Sequence, residues 1–255
     1  MASEFREAAI EILGTPLLPT TYDELTAVCQ RLTRAERTSA IDLTNTHIVT
    51  LRRHEPEFRA LTSRFDFFIP DGMPLIWALN RRGANLTDRV YGPKFMRHCV
   101  VRSPAPYTHY LLGGSPECLE SLTQRLSAEQ PNLKIVGRRH GYFKREEESE
   151  IVREINALSP DFVWIGMGTP RQQAWIHRHK SSIARGVLLA VGFAFDVNAG
   201  TKTDAPEWMQ RAGLTWLFRV WSEPRRLAAR YLRYNSLFLF YLVRDALFGR
   251  PARIS

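Results

Sequence analysis

The chain has 255 residues, is 44% hydrophobic and carries a formal net charge of +9, with 35 Lys and Arg against 26 Asp and Glu. That is long enough for a sizeable core, as one large domain or two small ones, and the composition is that of a soluble globular protein. Three scattered cysteines without a Cys-x-x-Cys argue against a disulfide scaffold and for reduced thiols in a cytosolic protein.

The first residues, Met1 to Arg6, lack the apolar core of a signal peptide. The longest strongly apolar run, Leu237 to Val243, is far short of the ~20 residues of a spanning helix. The positive excess points to an anionic partner: nucleic acid, anionic lipid or a phosphorylated substrate. It is concentrated at one end. From Arg211 onward nine arginines face only Glu223 and Asp245, so this stretch holds seven of the nine net charges.

In chain order, residues 1–20 read as a short helix and a Pro/Thr-rich connection. Tyr22–Leu32 is helical, Ser39–Leu43 a strand, and helical stretches run from Thr46 to Arg53 and from Pro56 to Ser63. Phe65–Ile69 is a second strand, closed by the sharp turn Pro70-Asp71-Gly72 before a helix with Leu75, Ile76 and Leu79. A helix over Lys94–Val101 precedes the strand Tyr107–Leu112. Gly113-Gly114-Ser115-Pro116 then opens a helix to about Glu129. Leu133–Gly137 reads as a strand and Arg145–Leu158 as a charged helix.

Phe162–Ile165 is a buried strand. Gly166 and Gly168 turn the chain, Thr169 caps the next helix, and Pro170 sits in its first turn. After the strand Gly186–Val191 the chain becomes Trp-rich over Pro206–Arg219, then a basic aromatic helix over Pro224–Phe248. Continuous apolar strands alternating with helices predict an α/β fold, a mostly parallel sheet covered on both faces.

In such a sheet, ligands sit beyond the carboxyl ends of the strands. Three strand ends carry small residues: Gly113-Gly114-Ser115, Gly166-Met167-Gly168-Thr169 and Val191-Gly192. Free amides and the positive end of a helix dipole make such turns places to hold a phosphate; an ordinary βα turn is the alternative. No complete dinucleotide fingerprint or Walker lysine motif is present.

Asp71 follows a strand at the same edge and suits a general base, or it caps the following helix. Asp196 binds a sugar hydroxyl or anchors a loop. Gln172 lies within reach of the glycine turn, or is a solvated helix residue. No metal site is expected: there is no Asp-x-Asp, and His177 and His179 at i and i+2 point to different helix faces. On the last helix Arg226, Arg230 and Arg233 share a face beside Leu227, Tyr231 and Tyr234. That suits a helix on an anionic membrane; a core helix with a solvated basic face is the alternative. No nucleic-acid-binding motif accompanies the charge.

Five segments in register resemble the WecG/TagA/CpsF family of glycosyltransferases over roughly residues 40–235. They are Pro70-Asp71-Gly72; Arg89-Val90-Tyr91-Gly92-Pro93; Gly166 to Gln172; Val191-Gly192 with Ala194-Phe195-Asp196; and Glu223-Pro224 with Arg226-Leu227 and Arg230-Tyr231. The resemblance implies an inverting, metal- and cofactor-independent transfer of a hexose or N-acetylhexosamine from a UDP-sugar. The acceptor is a polyprenyl-diphosphate-linked saccharide in exopolysaccharide or other cell-surface polysaccharide biosynthesis. It implies a Rossmann-like domain of the GT-E type over residues 1–200 and a basic helical appendage over 201–255 at the membrane. The protein is then cytoplasmic and peripheral on the inner face of the cell membrane, with self-association into a homo-oligomer left open.

The same resemblance makes Asp71 the general base and places Asn45, Arg89 and Gln172 in the active site. Gly113, Gly114, Gly166, Gly168, Gly192 and Asp196 are expected to bind substrate, and the resemblance has Arg226 and Arg230 reach the acceptor diphosphate. Phe193, Gln173, Asp204 and Thr215 depart from the family pattern, which more often has a small residue, Glu, Arg and Glu there. The tail resembles the exopolysaccharide branch more than the teichoic acid branch. A second class of reading is a non-catalytic nucleotide-sugar-binding scaffold or sensor.

Overall fold

The structure is a computed structural model and describes residues 8–248. Among these, eight strands form one sheet: β1 (Ile10–Ile12), β2 (Thr15–Leu17), β3 (Thr38–Thr44), β4 (Phe67–Pro70), β5 (Thr108–Gly113), β6 (Lys134–Arg139), β7 (Phe162–Gly166) and β8 (Gly186–Ala190). Their order is β1-β2-β4-β3-β8-β7-β5-β6. Every pairing is parallel except the β1–β2 hairpin.

Each parallel neighbour requires a crossover, and helices supply it. They are α1 (Tyr22–Leu32), α2 (Thr46–His54), α3 (Pro56–Leu61), α4 (Met73–Asn80), α5 (Gly92–Arg102), α6 (Pro116–Glu129), α7 (Glu148–Leu158), α8 (Arg171–His179) and α9 (Ala194–Ala199). Three more follow the sheet: α10 (Glu207–Arg211), α11 (Thr215–Ser222) and α12 (Pro224–Phe248).

Side chains alternate across a strand, so each strand feeds two cores. Ile41, Leu43, Ile69, Leu111, Trp164 and Leu189 pack on one face against Leu25, Phe95 and Leu122 of α1, α5 and α6. Ala40, Phe68, Leu112, Val163, Ile165 and Leu188 pack on the other against Leu75, Ile155 and Trp175 of α4, α7 and α8. Burying a side chain of this size stabilises by roughly 1.5–3 kcal/mol. All seven residues of β3 are buried. Its Asp42 accepts hydrogen bonds from Thr44 Oγ1 at 2.5 Å and Gln173 Nε2 at 2.8 Å.

Three expectations change. Residues 1–7 lie outside the described residues, and the rest of the expected N-terminal helix is the hairpin β1–β2. Leu13 and Gly14 make its two-residue turn with φ of 50° and 80°, the left-handed geometry that hairpin turns select, and buried Ile12 and Leu17 tie it to the sheet edge. Thr169 does not cap α8, which starts at Arg171 after Pro170. The charged helix begins as a single tight turn at Arg145–Glu147 before α7.

The terminal helix lies on the sheet domain. Leu227, Tyr231 and Phe238 are buried, and Phe238 joins the second core. Along α2, Thr46 Oγ1 donates to Asn235 Oδ1 at 3.3 Å, and Tyr234 OH donates to Glu55 Oε1 at 2.8 Å. Among the described residues no helix is long and apolar enough to cross a membrane. Arg250 and Arg253, part of the basic tail, lie outside the described residues.

Candidate active site

β3 and β4 end side by side, because the Asp71 amide donates to the Thr44 carbonyl at 2.7 Å. Asn45 and Asp71 therefore leave the sheet as neighbours at its carboxyl edge. Asn45 caps α2, its Oδ1 accepting the Ile48 amide at 3.2 Å. Asp71 caps nothing: Gly72 precedes α4, and no side chain caps that helix. Its carboxylate instead faces the start of α5, and Oδ1 is buried with no hydrogen-bond partner. Burial pushes the carboxyl up to about 7, against the pull of Arg89, the Gly92 amide and Arg219, with a smaller push from Asp204. A carboxylate titrating near neutrality with an unmet acceptor is equipped to take a proton from a bound hydroxyl.

The glycine turns divide into structural and exposed positions. Gly113 does not line the cleft. A Cβ there would sit 2.5 Å from the Gly166 backbone, so this residue is what allows β5 and β7 to end in close contact. Gly168 has φ +75° and nothing within 4 Å of where a side chain would project, so its backbone faces open space. Gly168 N–H donates to Gln172 Oε1 at 3.2 Å, and the Gln172 amide returns to the Gly168 carbonyl at 3.0 Å. Gln172 is thus a buried brace of the turn, not a solvated residue.

Three of the cavities along this edge carry the predicted residues. The first, about 370 Å³, lies over the ends of β5, β7 and β8, with Gly114, Gly166, Gly168, Gly192 and Asp196 in its wall. The second, about 190 Å³, holds Asp71, Asn45, Gln172, Gly168 and Gly192, with Arg226 and Arg230 on the helical side. The third, about 200 Å³, is shared by Asp71 and Arg89 with the apolar side chains Trp216, Tyr231, Phe238 and Leu239. The predicted residues Asp71, Asn45, Gln172, Gly168, Gly192, Arg226 and Arg230 therefore meet in the middle cavity.

Arg89 is buried. Its guanidinium lies 4.3 Å over the Tyr91 ring, and Nη2 donates to Thr215 Oγ1 at 3.0 Å. Arg226 pairs with Glu223, which also holds Lys202 at 2.8 Å; these contacts, that with Arg226 first, pull the Glu223 carboxyl down to about 2. Burial lowers the Arg230 guanidinium below its ordinary value, helped by Arg219 and Arg226, and its Nε has no hydrogen-bond partner. Arg233 lies over the Tyr234 ring at 5.4 Å and does not line the cavities. Asp196 lines the first cavity; its main-chain carbonyl accepts the Thr201 and Lys202 amides, and its Oδ1 accepts from Thr201 Oγ1 at 3.3 Å.

Sequence reasoning missed Arg219. It projects from α11 into all three cavities and stacks on Phe193 at 4.1 Å. It stands before the Glu223-Pro224 break, seven residues ahead of Arg226, and that spacing was the available signal. His47 was missed as well. It lies in the middle cavity, held neutral because burial, and then Arg230, drive its pKa down to about 3. Tyr142, at the far mouth of the first cavity, is largely exposed. No group of three or more His, Cys, Asp or Glu among the described residues could hold a metal ion.

A parallel sheet with glycine turns at its carboxyl edge, arginines over them and a near-neutral carboxylate beside them can hold an anionic ligand next to a base. The chain belongs to the WecG/TagA/CpsF family of glycosyl transferases, whose model matches residues 10–252. Similar curated proteins come from Staphylococcus aureus strains MW2, NCTC 8325 / PS 47 and MRSA252. Each is named N-acetylglucosaminyldiphosphoundecaprenol N-acetyl-beta-D-mannosaminyltransferase. Each is 26% identical over 223 residues, covering 86% of this chain and 87% of its own length.

Proposed function

We propose that this chain transfers a hexose or N-acetylhexosamine from a UDP-sugar to a hydroxyl of a polyprenyl-diphosphate-linked saccharide in exopolysaccharide or other cell-surface polysaccharide assembly. The observation that carries this reading is the position of Asp71, in the wall common to the second and third cavities and one step from the glycine turns. The relatives' names, which describe transfer to a sugar on a diphosphate-linked undecaprenol, support the acceptor class.

In this reading the donor diphosphate lies over Gly168 and Gly192, within reach of Arg219, Arg226 and Lys202. The uracil base extends toward Tyr142. Asp71 removes the proton from the acceptor hydroxyl, its oxygen attacks the anomeric carbon, and the bond to the UDP oxygen breaks on the opposite side. One displacement inverts the configuration. The arginines stabilise the charge that develops on UDP. Arg230 and Arg89 meet the acceptor diphosphate, and the apolar third cavity takes the start of its lipid.

Residues 201–248 then act as an acceptor-docking segment on a Rossmann-like body. Leu232, Leu239, Phe240, Val243 and Leu247 form an exposed apolar stripe along α12, and Trp221 is 81% exposed on α11. With Arg225 and Arg233 beside it, this surface suits the headgroup region of an anionic membrane on the cytoplasmic side. A panel of UDP-sugars with a short polyprenyl-diphosphate glycan, products read by mass, tests the assignment. Sugar addition with UDP release supports transfer. Donor binding with no product from any pair would favour a sensor.

A further inference from the structure

Asp204 lies in the segment between α9 and α10 and lines none of the three cavities, yet its carboxylate is fully engaged. Oδ1 accepts from Tyr91 OH at 2.6 Å and from the Ala205 amide at 2.8 Å. Oδ2 accepts from Gln210 Nε2 at 3.1 Å, and the same Nε2 donates to the Ala205 carbonyl at 2.7 Å. Tyr91 does line the second and third cavities, and its ring carries the Arg89 guanidinium at 4.3 Å. A short chain of contacts therefore runs from the helical segment to the carboxylate at the strand edge.

We propose that Asp204 is a positioning residue of the base site: it holds the hydroxyl of Tyr91, whose ring lies beneath Arg89, and its charge offsets the guanidinium groups that face Asp71. This rests on the reading of Asp71 as the base.

The groups facing Asp71 come from several elements. Arg89 precedes α5, Arg219 comes from α11, Tyr22 from α1 and Tyr91 from the turn into α5. Tyr22 OH accepts the Tyr91 amide at 3.1 Å, and Asp88 faces Tyr22. Two cations thus draw the Asp71 proton off, while Asp204 is the carboxylate that opposes them. The Tyr91 hydroxyl tempers that opposition by donating to Asp204. Without Asp204 the arginines act unopposed, and Asp71 is a weaker base. Without the hydroxyl, the charge of Asp204 is less neutralised and Asp71 is a stronger one.

The test is the titration of Asp71, followed by NMR on protein labelled at the aspartate carboxyl carbon. The Asp71 signal is assigned by its loss in Asp71→Asn. Asp204→Asn keeps an acceptor for Tyr91 but removes the charge, so the Asp71 midpoint falls, by up to roughly one pH unit, the low end for one neighbouring charge. Tyr91→Phe keeps the ring under Arg89 and raises the midpoint. The double variant matches Asp204→Asn, because no charge remains for the hydroxyl to temper. Midpoints unchanged in both single variants overturn the proposal, since a merely structural Asp204 moves neither. Should Asp204→Asn fail to fold, Tyr91→Phe decides alone by the same criterion. The acidic limb of kcat/KM is measured alongside. A limb that follows Asp71 supports both ideas; a limb that stays while the Asp71 titration moves contradicts the base assignment and leaves the positioning role upheld.

Discussion

The two ends of the cleft are built from different materials. At the glycine end the floor is main chain, Gly114, Gly166, Gly168 and Gly192 at the ends of β5, β7 and β8, with Gln172 bracing the turn and side chains such as Arg171 and Asp196 around it. The sheet ladder fixes those groups, since Gly113 pairs with Gly166 and the Gly192 amide donates to Ile165. At the helical end the wall is side chain: Arg219, Arg226, Arg230, Trp216 and Tyr231 on α11 and α12. The first kind of wall suits a ligand of constant shape. The second suits one that arrives from a membrane with a long, variable body. Asp71 lies where the two meet.

The sharpest way to break this comparison is at the junction. Asp71→Asn is expected to lower kcat by about 10²–10⁴, the range for a lost general base, while UDP affinity measured by calorimetry stays unchanged. The same variant reports on stability. The folded carboxyl titrates at about 7 against an ordinary 3.8, so the folded chain holds the proton more tightly than the unfolded one. That contribution is present below about pH 4 and is lost as pH rises through 7. Asp71→Asn should therefore raise Tm at pH 8, by the equivalent of less than about 4 kcal/mol because the cleft partly solvates the group, and the gain should shrink toward pH 4.

Arg219 belongs to both ends, and its replacement tests whether they work as one site. Arg219→Ala should cost on the order of 10²-fold in kcat/KM for donor and acceptor alike, the scale of one lost transition-state donor. A loss confined to one substrate would assign Arg219 to one end only. The helical end alone is probed by Val243→Glu with Leu247→Glu, two exposed positions 56% and 70% accessible. Binding to vesicles with anionic lipid should weaken about tenfold or more per position, while the rate on a short-chain soluble acceptor is retained. The smallest effect is at the glycine end. Gly168→Ala meets no atom but must adopt φ +75°, costing roughly 1–2 kcal/mol of stability. It should raise the donor KM a few-fold and leave the acceptor KM unchanged.

Much of the sheet was legible because its strands are continuous apolar runs and its helices carry caps. The starts at Tyr22 and Pro224 match the structure, where a Thr21–Glu24 capping box opens the first helix and Pro224 the last. The edge hairpin was not legible, because three-residue strands carry too little alternation and only the sheet gives Ile12 and Leu17 their burial. Asp71 and Gln172 were legible at one edge because parallel strands deliver their ends there, whereas Asn45 entered only through the family resemblance. Gly113 was misplaced for the converse reason: a glycine required by backbone contact looks, in sequence, like one required by a ligand. Arg219 was hidden because its role depends on how α11 folds back over the strand ends, and its spacing from Arg226 was the one local hint.

The most direct measurement of the central idea is the position of UDP in a co-crystal of the full chain. The account predicts the diphosphate over Gly168 and Gly192, beneath Arg219, with its terminal phosphate directed toward Asp71. UDP bound instead at the amino ends of the strands, in the open cavity lined by Arg37, Arg64 and Lys180, would contradict it.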